Sequence, residues 1–312
     1  MHSKTKILIC GLHRIVNIGI KKYLKAKGFI DIVDLNDTAI DLTSQEQVRN
    51  CFKKHKAEAV IFSGSLSGGI AANMKYPAEF IYKNLISEVN ILESARKANV
   101  KKVIFFASSC VYPKNSPQPL QEKFLLTAAL EETSEPYAVA KIAGIKMCEA
   151  YNKQYGTNFI PIIPATIYGP HDSFDKENAH VISALIKNFY QAKQKKQPAV
   201  EIWGTGKPVR EFIYIDDLAD ACLLLLRNYK NSEIINVCTA ERVSIKELAY
   251  LVKNTVGFTG KIIFDRAKPD GVAKKVLDVS KMNSFGWQPG ISLAEGIKLT
   301  YQWYEKYGKK NG

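Results

Sequence analysis

The sequence predicts a doubly wound, Rossmann-type parallel α/β sheet, with a smaller C-terminal α+β substrate-binding domain, on three observations. Through the first two thirds of the chain, short apolar runs alternate with longer amphipathic stretches. The runs are continuous rather than alternating in polarity, as strands buried on both faces are. After Gly169 this pattern loosens. Strands are expected at Lys6–Cys10, Ile30–Leu35, Ala59–Phe62, Val103–Ala107 and Phe159–Pro164, and helices at Ile18–Lys25, Ser44–His55, Pro77–Ala98 and Tyr137–Tyr155. Parallel crossovers are right-handed, which winds the sheet in both directions from its first strand. Beyond the Pro170-His171-Asp172 loop come a helix over Val181–Lys195 and β-like runs at Val200–Trp203 and Glu211–Tyr214. The helix Ile215–Leu226 and the run Ile234–Val237 are expected to return to the sheet, and helices near Ser244–Thr255 and Ser292–Lys306 complete the rest. The expected domains are 1–170, with about 212–240 returning to it, and 171–312.

Composition narrows the function. With 312 residues, 46% hydrophobic and 24% charged, the chain can bury a large core, and neither disorder nor a fibrous architecture fits. No stretch approaches the roughly 20 apolar residues of a membrane helix. The opening Met1-His2-Ser3-Lys4-Thr5-Lys6 runs straight into a strand, without the layout of a signal peptide. A soluble, cytoplasmic protein with no membrane partner is expected. The net charge of +14 invites a nucleic-acid reading, but only seven of the 44 basic residues are arginines and the lysines are scattered. No nucleic-acid-binding motif accompanies them. A solvated lysine surface, or attraction toward a small polyanion, fits better. Cys10, Cys51, Cys110, Cys148, Cys222 and Cys238 form no CxxC pair, and the five histidines form no HExxH. Neither a metal site nor a disulfide framework is expected.

The strongest chemical pattern is Tyr137-Ala-Val-Ala-Lys141, with Ser108 at the end of an expected strand. On a helix, residues four apart share a face, so Tyr137 and Lys141 point into one cleft. An ammonium beside a phenol favours the tyrosinate and lowers its pKa, which suits proton donation to a carbonyl oxygen. Ser108 is placed to hydrogen-bond the same oxygen. YxxxK alone is a weak signal; the serine and the doubly wound frame strengthen it.

Longer motifs carry a family resemblance. Ser108-Ser109-Cys110-Val111-Tyr112-Pro113-Lys114, Glu135-Pro136-Tyr137 through Lys146, and Tyr168-Gly169-Pro170-His171-Asp172 resemble the GDP-L-fucose synthases. So do Trp203-Gly204-Thr205-Gly206 running on to Arg210-Glu211-Phe212, and Lys268-Pro269-Asp270-Gly271. The motifs stand in family order from about residue 60 onward. This group of extended short-chain dehydrogenases epimerises and reduces GDP-4-keto-6-deoxy-mannose. The resemblance implies NADP(H), a GDP-sugar substrate and a homodimer. It also implies Ser108, Tyr137 and Lys141 as the reductase triad, with Cys110 and His180 as the epimerase acid/base pair. On spacing alone Cys110 reads as a small buried residue and His180 as a helix-start residue. The pairing is chemically coherent, because thiols and imidazoles titrate near neutrality and can exchange proton-donor and proton-acceptor roles. For substrate, the resemblance offers Arg210, whose fork suits a diphosphate, against a structural pair with Asp216 or Asp217. Lys187, Trp203, Asp270 and Lys275 are weaker substrate candidates.

The cofactor side departs from the family. Gly11, His13, Arg14, Asp37, Ser63, Lys141 and His180 are the residues expected around the dinucleotide. A G-x-x-G-x-x-G turn is expected after the first strand, yet Arg14 and Asn17 stand at the second and third glycine positions. Two readings stay open: Arg14 swings outward and neutralises phosphate charge, or dinucleotide binding is weakened or lost. Asp34-Leu35-Asn36-Asp37 is acidic where the family has arginines, as for the free ribose diol of NAD(H), or as a solvated turn. Ser63-Gly64-Ser65 replaces an alanine-rich stretch, and Thr166 replaces an asparagine. The alternatives are a C4 reductase of a related GDP-4-keto-6-deoxy-heptose without full epimerase activity, or a non-catalytic nucleotide-sugar-binding homologue.

Overall fold

In the computed structural model, which describes residues 1–38, 40–64, 66, 68, 70–175 and 179–308, the apolar runs form the expected parallel sheet. The chain opens with β1 (Ile7–Cys10), α1 (Arg14–Ala26), β2 (Ile32–Asp34), α2 (Gln45–His55) and β3 (Ala59–Phe62). Helices α3 (Ile70–Lys75) and α4 (Pro77–Lys97) lead to β4 (Lys102–Phe106), α5 (Glu135–Tyr155), β5 (Asn158–Pro164) and β6 (Thr166–Tyr168). The second part runs α6 (Val181–Gln194), β7 (Ala199–Trp203), β8 (Val209–Tyr214), α7 (Ile215–Asn228) and β9 (Ile235–Val237). It closes with β10 (Arg242–Ser244), α8 (Ile245–Val256), β11 (Lys261–Asp265), α9 (Ser280–Ser284) and α10 (Leu293–Tyr307).

The main sheet has the order β2-β1-β3-β4-β5-β9, parallel throughout. Strands β1 and β3 are buried along their whole length, which is why their sequences are unbroken apolar runs. The chain winds outward from β1 to β2 and returns past it to β3. That reversal opens a crevice at the carboxyl ends of β1 and β3, where open α/β sheets bind ligands. Strand β9 joins β5 through the register Ile162↔Ile235, so the chain comes back to the sheet from its second part. A sheet β10-β8-β6 and the parallel pair β11-β7 build the remainder.

Local signals set several boundaries. Ser244 and Glu247 form a reciprocal capping box that starts α8, and Ser44 caps α2 by accepting from the Gln47 N–H. Pro136 in the first turn of α5 starts that helix ahead of Tyr137, and Gly156 ends it in a left-handed conformation. The sequence reading did not contain β6, β10 or β11. The first two are three residues long, too short to show a period, and tertiary pairing defines them. The expected strand Ile30–Leu35 is shorter at both ends, and Ile30 lies exposed ahead of it.

Candidate active site

The crevice begins with a backbone contact that only glycine permits. Gly11 leaves β1 at φ +120°, and a Cβ there would lie 2.3 Å from Ser63 Oγ and 2.5 Å from the Gly64 carbonyl. The close approach lets Leu12 N–H donate to the Gly64 carbonyl at 2.8 Å, tying the turn after β1 to the end of β3. Asn17 locks the same junction from below. It is fully buried, donates through Nδ2 to the Gly11 carbonyl at 2.7 Å, and accepts from Ser63 Oγ at 2.8 Å. The asparagine at the third glycine position therefore turns into the protein and leaves the crevice open. Arg14 is the first residue of α1 and its side chain is exposed, while the first turn of α1 carries no acidic residue. The N–H groups of that turn are free of an internal anion, as a diphosphate requires. These residues fit a dinucleotide. Replacing Asn17 with Ala strips partners from two buried groups, and a destabilisation of about 1–3 kcal/mol is expected in chemical denaturation.

Three further elements bring the proton-handling groups to this crevice. Ser108 follows β4 in an extended conformation and caps a short 3₁₀ turn, Ser109–Val111, accepting from the Cys110 N–H at 3.4 Å. Tyr137 sits in the first turn of α5, its ring edge-on to Phe80 of α4 at 6.2 Å, and Ser108 faces its phenol. His180 is the N-cap residue of α6. One cavity of about 490 Å³ has His13, Ser63, Ser108, Cys110, Tyr137 and His180 on its wall, and extends to Thr166, Arg210 and Lys275.

The charges differ from the sequence expectation at one point. Lys141 is directed into the protein, 2% exposed, with Nζ 2.9 Å from Glu88 Oε1 of α4. Its distance to the Tyr137 ring centroid is 5.7 Å. Burial pushes the Tyr137 phenol up, Cys110 and Glu88 push it further, and the Ser108 hydrogen bond pulls it back. The expectation that Lys141 lowers this phenol is corrected for the free protein: burial first, then Cys110 and Glu88, raise it, and the Lys141 ammonium is engaged by Glu88. Cys110 behaves oppositely. Burial alone would raise its thiol, but Lys275, whose Nζ is 3.7 Å from Sγ, outweighs it together with hydrogen bonds from Ser108 and Ser134. The thiol is held below its ordinary value. Burial, followed by neighbouring Lys141 and His180, brings His13 down to about 4, so it is a neutral imidazole at pH 7.

The other sequence candidates are more scattered. Arg210 is partly buried with Nη1 donating to the Val209 carbonyl at 2.8 Å, and among the described residues no carboxylate forms an ion pair with it. Asp217 instead accepts from the Gly290 and Ile291 N–H groups, so the pairing with Arg210 is absent. Lys187 donates to the Phe174 carbonyl at 2.9 Å and fastens the loop ahead of α6. Asp270 accepts from Thr205 N–H at 2.8 Å and Oγ1 at 2.6 Å, holding the turn after β7. Trp203 is 69% exposed with Lys268 Nζ 5.4 Å from its ring. Asp37 is paired with Lys21 at 2.7 Å on the surface. None of Lys187, Asp270, Trp203 or Asp37 is on the cavity wall. Ser65 lies outside the described residues. Sequence reasoning missed Glu88 and Ser134. Glu88 did leave a signal: it stands among Asn84, Ser87, Asn90 and Ser94, polar residues on the buried side of α4.

Comparison with known proteins decides the family. The model of the NAD dependent epimerase/dehydratase family matches residues 11–238. The chain belongs to this family. Within it, GDP-L-fucose synthase 1 of Arabidopsis thaliana is 46% identical over 304 residues, covering 97% of this chain and 94% of that protein. A GDP-6-OMe-4-keto-L-xylo-heptose reductase from Campylobacter jejuni superposes with a TM-score of 0.92 at 36% identity, covering 98% of this chain and 99% of that one. A GDP-L-fucose synthetase from Naegleria fowleri bound to NADP gives 0.91 at 28% identity, covering 98% and 94%. In this chain Asn17 supplies by hydrogen bonding, to the Gly11 carbonyl and Ser63, a close strand–helix contact at the place where a G-x-x-G-x-x-G turn has its third glycine. No described helix is long and apolar enough to cross a membrane.

Proposed function

We propose that this epimerase/dehydratase family member converts GDP-4-keto-6-deoxy-mannose to GDP-L-fucose with NADP(H), epimerising C3 and C5 and reducing the C4 ketone. One observation carries the reading: two separate proton-handling sets, Ser108 with Tyr137 and Cys110 with His180, share a single cavity. A C4 ketone acidifies the hydrogens on C3 and C5. Cys110, its thiol held low beside Lys275, takes such a proton as thiolate. His180, from the α6 side of the cavity, returns a proton to the other face. Ser108 and Tyr137 donate hydrogen bonds to O4 while it carries enolate charge. A dinucleotide, when bound, would supply the hydride for C4. Tyr137 gives its phenolic proton to O4, completing the alcohol, and Ser108 holds that oxygen. The Gly11 turn, the first turn of α1 and Ser63 would hold the dinucleotide, with Lys141 fixed behind Gly64 rather than on the cavity wall.

Incubation with GDP-4-keto-6-deoxy-mannose tests the whole reading. NADPH oxidation with formation of GDP-L-fucose is expected, and parallel titration with NADH reads the choice left open by Asp34 and Asp37. No oxidation with either nucleotide rejects the reductase. A second reading, C4 reduction of a GDP-4-keto-6-deoxy-heptose without full epimerisation, is favoured by the likeness to the heptose reductase. Solvent deuterium at C3 and C5 of the product separates the two.

Arg210, half-buried at the cavity and in no ion pair among the described residues, with Asp270 the carboxylate that acts on it from a distance, is the proposed diphosphate grip. Arg210→Ala is expected to raise KM for the GDP-sugar by roughly 10–100-fold with a smaller change in kcat, and Lys at this position should restore only part. We further place the dinucleotide-binding part in residues 1–170 with about 212–240, and the substrate part in 171–312. The expected homodimer is supported by exposed Tyr82 and Val89 on α4 and Val139 on α5, adjoining helices with unpartnered apolar side chains. Light scattering at micromolar concentration reads the stoichiometry. Six free cysteines fit a reducing, cytoplasmic location.

A further inference from the structure

The ion pair between Lys141 and Glu88 is built into the centre of the protein. Both side chains are buried, at 2% and 1% exposed, and two glycines make room for them. At Gly64, two residues beyond β3 and at φ +93°, a Cβ would lie 2.9 Å from Lys141 Nζ. At Gly144, on α5, a Cβ would lie 2.7 Å from Glu88 Oε2 and 2.2 Å from the Phe105 ring. The ammonium is otherwise surrounded by aromatic faces: Phe105 at 5.2 Å, Tyr137 at 5.7 Å and Phe62 at 5.9 Å from ring centroid to Nζ. Neither carboxylate oxygen of Glu88 has a hydrogen-bond partner among the described residues beyond this ion contact.

We propose that Glu88 is a positioning residue for ketone reduction: its carboxylate fixes the Lys141 ammonium beneath Gly64 and offsets its charge beside Tyr137. This rests on the reductase reading of Tyr137. The groups facing the phenol are Ser108 and Cys110 from the turn after β4, Glu88 from α4, and Lys141 from its own helix. Lys141 also faces His13 from the turn after β1, and Glu88 faces Cys148 of α5. In low dielectric, one negative charge added or removed within this set moves the phenol strongly. With Glu88 in place the pair is neutral overall and Tyr137 remains a phenol that has a proton to give. Without the carboxylate, an uncompensated ammonium next to the ring draws the proton off at lower pH. A merely structural ion pair would affect folding and leave the tyrosine's titration where it is.

The isosteric Glu88→Gln variant separates the two. In the free enzyme labelled with [¹³C]tyrosine at Cζ, the Tyr137 resonance is assigned by its loss in Tyr137→Phe. Ionisation in Glu88→Gln is expected to begin about one pH unit or more below the wild-type protein. The alkaline limb of the reductase kcat/KM profile should move down with it, while Glu88→Asp, which keeps the charge, should restore the wild-type profile. Identical titration of Tyr137 in wild type and Glu88→Gln overturns the proposal whatever the activity. A shifted resonance in a protein that reduces no keto-sugar upholds it and rejects the functional reading instead. If Glu88→Gln does not fold, the charge-neutral Glu88→Gln/Lys141→Gln protein should recover folding, and failure of that double variant also overturns the offset.

Discussion

Tyr137→Phe should lower ketone reduction by about 10²–10⁴-fold with little change in KM, the loss typical of removing a positioned proton donor. The substitution deletes only the hydroxyl. The ring's edge contact with Phe80 remains, and the wall residues Ser108 and Cys110 keep their backbone positions at the end of β4. The thermal midpoint should therefore stay close to wild type, which separates lost chemistry from lost fold. Single-turnover reduction of GDP-4-keto-6-deoxy-mannose with NADPH gives the measurement. Solvent deuterium should still enter the sugar in this variant, more slowly, because Cys110 and His180 are intact while one hydrogen-bond donor to O4 is gone. Retention of more than a tenth of the wild-type reduction rate would remove Tyr137 from the role of proton donor.

A second large effect is expected at the thiol. Cys110→Ser exchanges a group held below its ordinary pKa for a hydroxyl that does not ionise at neutral pH, so deuterium incorporation at C3 and C5 should fall by about 10²–10⁴-fold. Reduction of an already epimerised 4-keto sugar should survive. Retained exchange would reassign the base. Lys275→Met provides the pH-resolved counterpart. Burial raises the Cys110 thiol and Lys275 pulls it down, so removing the ammonium shifts it up. In the proposed exchange the thiolate is the active form, hence the rising acid limb of the exchange profile should move to higher pH. Near neutrality each unit of that move costs about tenfold in thiolate, and activity should recover on the alkaline side. If Lys275 instead serves only the substrate diphosphate, KM rises and the limb stays in place.

How much of this was legible in the residue order depends on range. The parallel sheet was readable because strands buried on both faces are written as unbroken apolar runs, as in Ile7–Cys10 and Ala59–Phe62. Strands β6 and β10 were not, since three residues carry no period and each exists only through its neighbour. The candidate site was readable where a motif is local: Tyr137 and Lys141 lie one helical turn apart, and Ser108 caps the tight turn that contains Cys110. Asn17 could not be interpreted from sequence, because it stands where the third glycine of a phosphate turn is expected and its bonding partners are distant in the chain. Its amide in fact faces Gly11 and Ser63, and Ser63 is 46 residues further along the chain.

The sequence by itself determined the fold class, the order of the strands' apolar runs and the residue types of the proton-handling sets. All of these are encoded in periodicity and short spacing. Which charge answers which was settled only by tertiary structure. Glu88 and Lys141 are 53 positions apart, and Cys110 and Lys275 are 165 apart. Packing α4 on α5 buries a carboxylate against the ammonium that spacing had assigned to Tyr137, and the C-terminal part brings a second ammonium to the thiol. Electrostatic influence grows as water is excluded, so the acid–base character of these groups was fixed by the folded neighbours rather than by the motif.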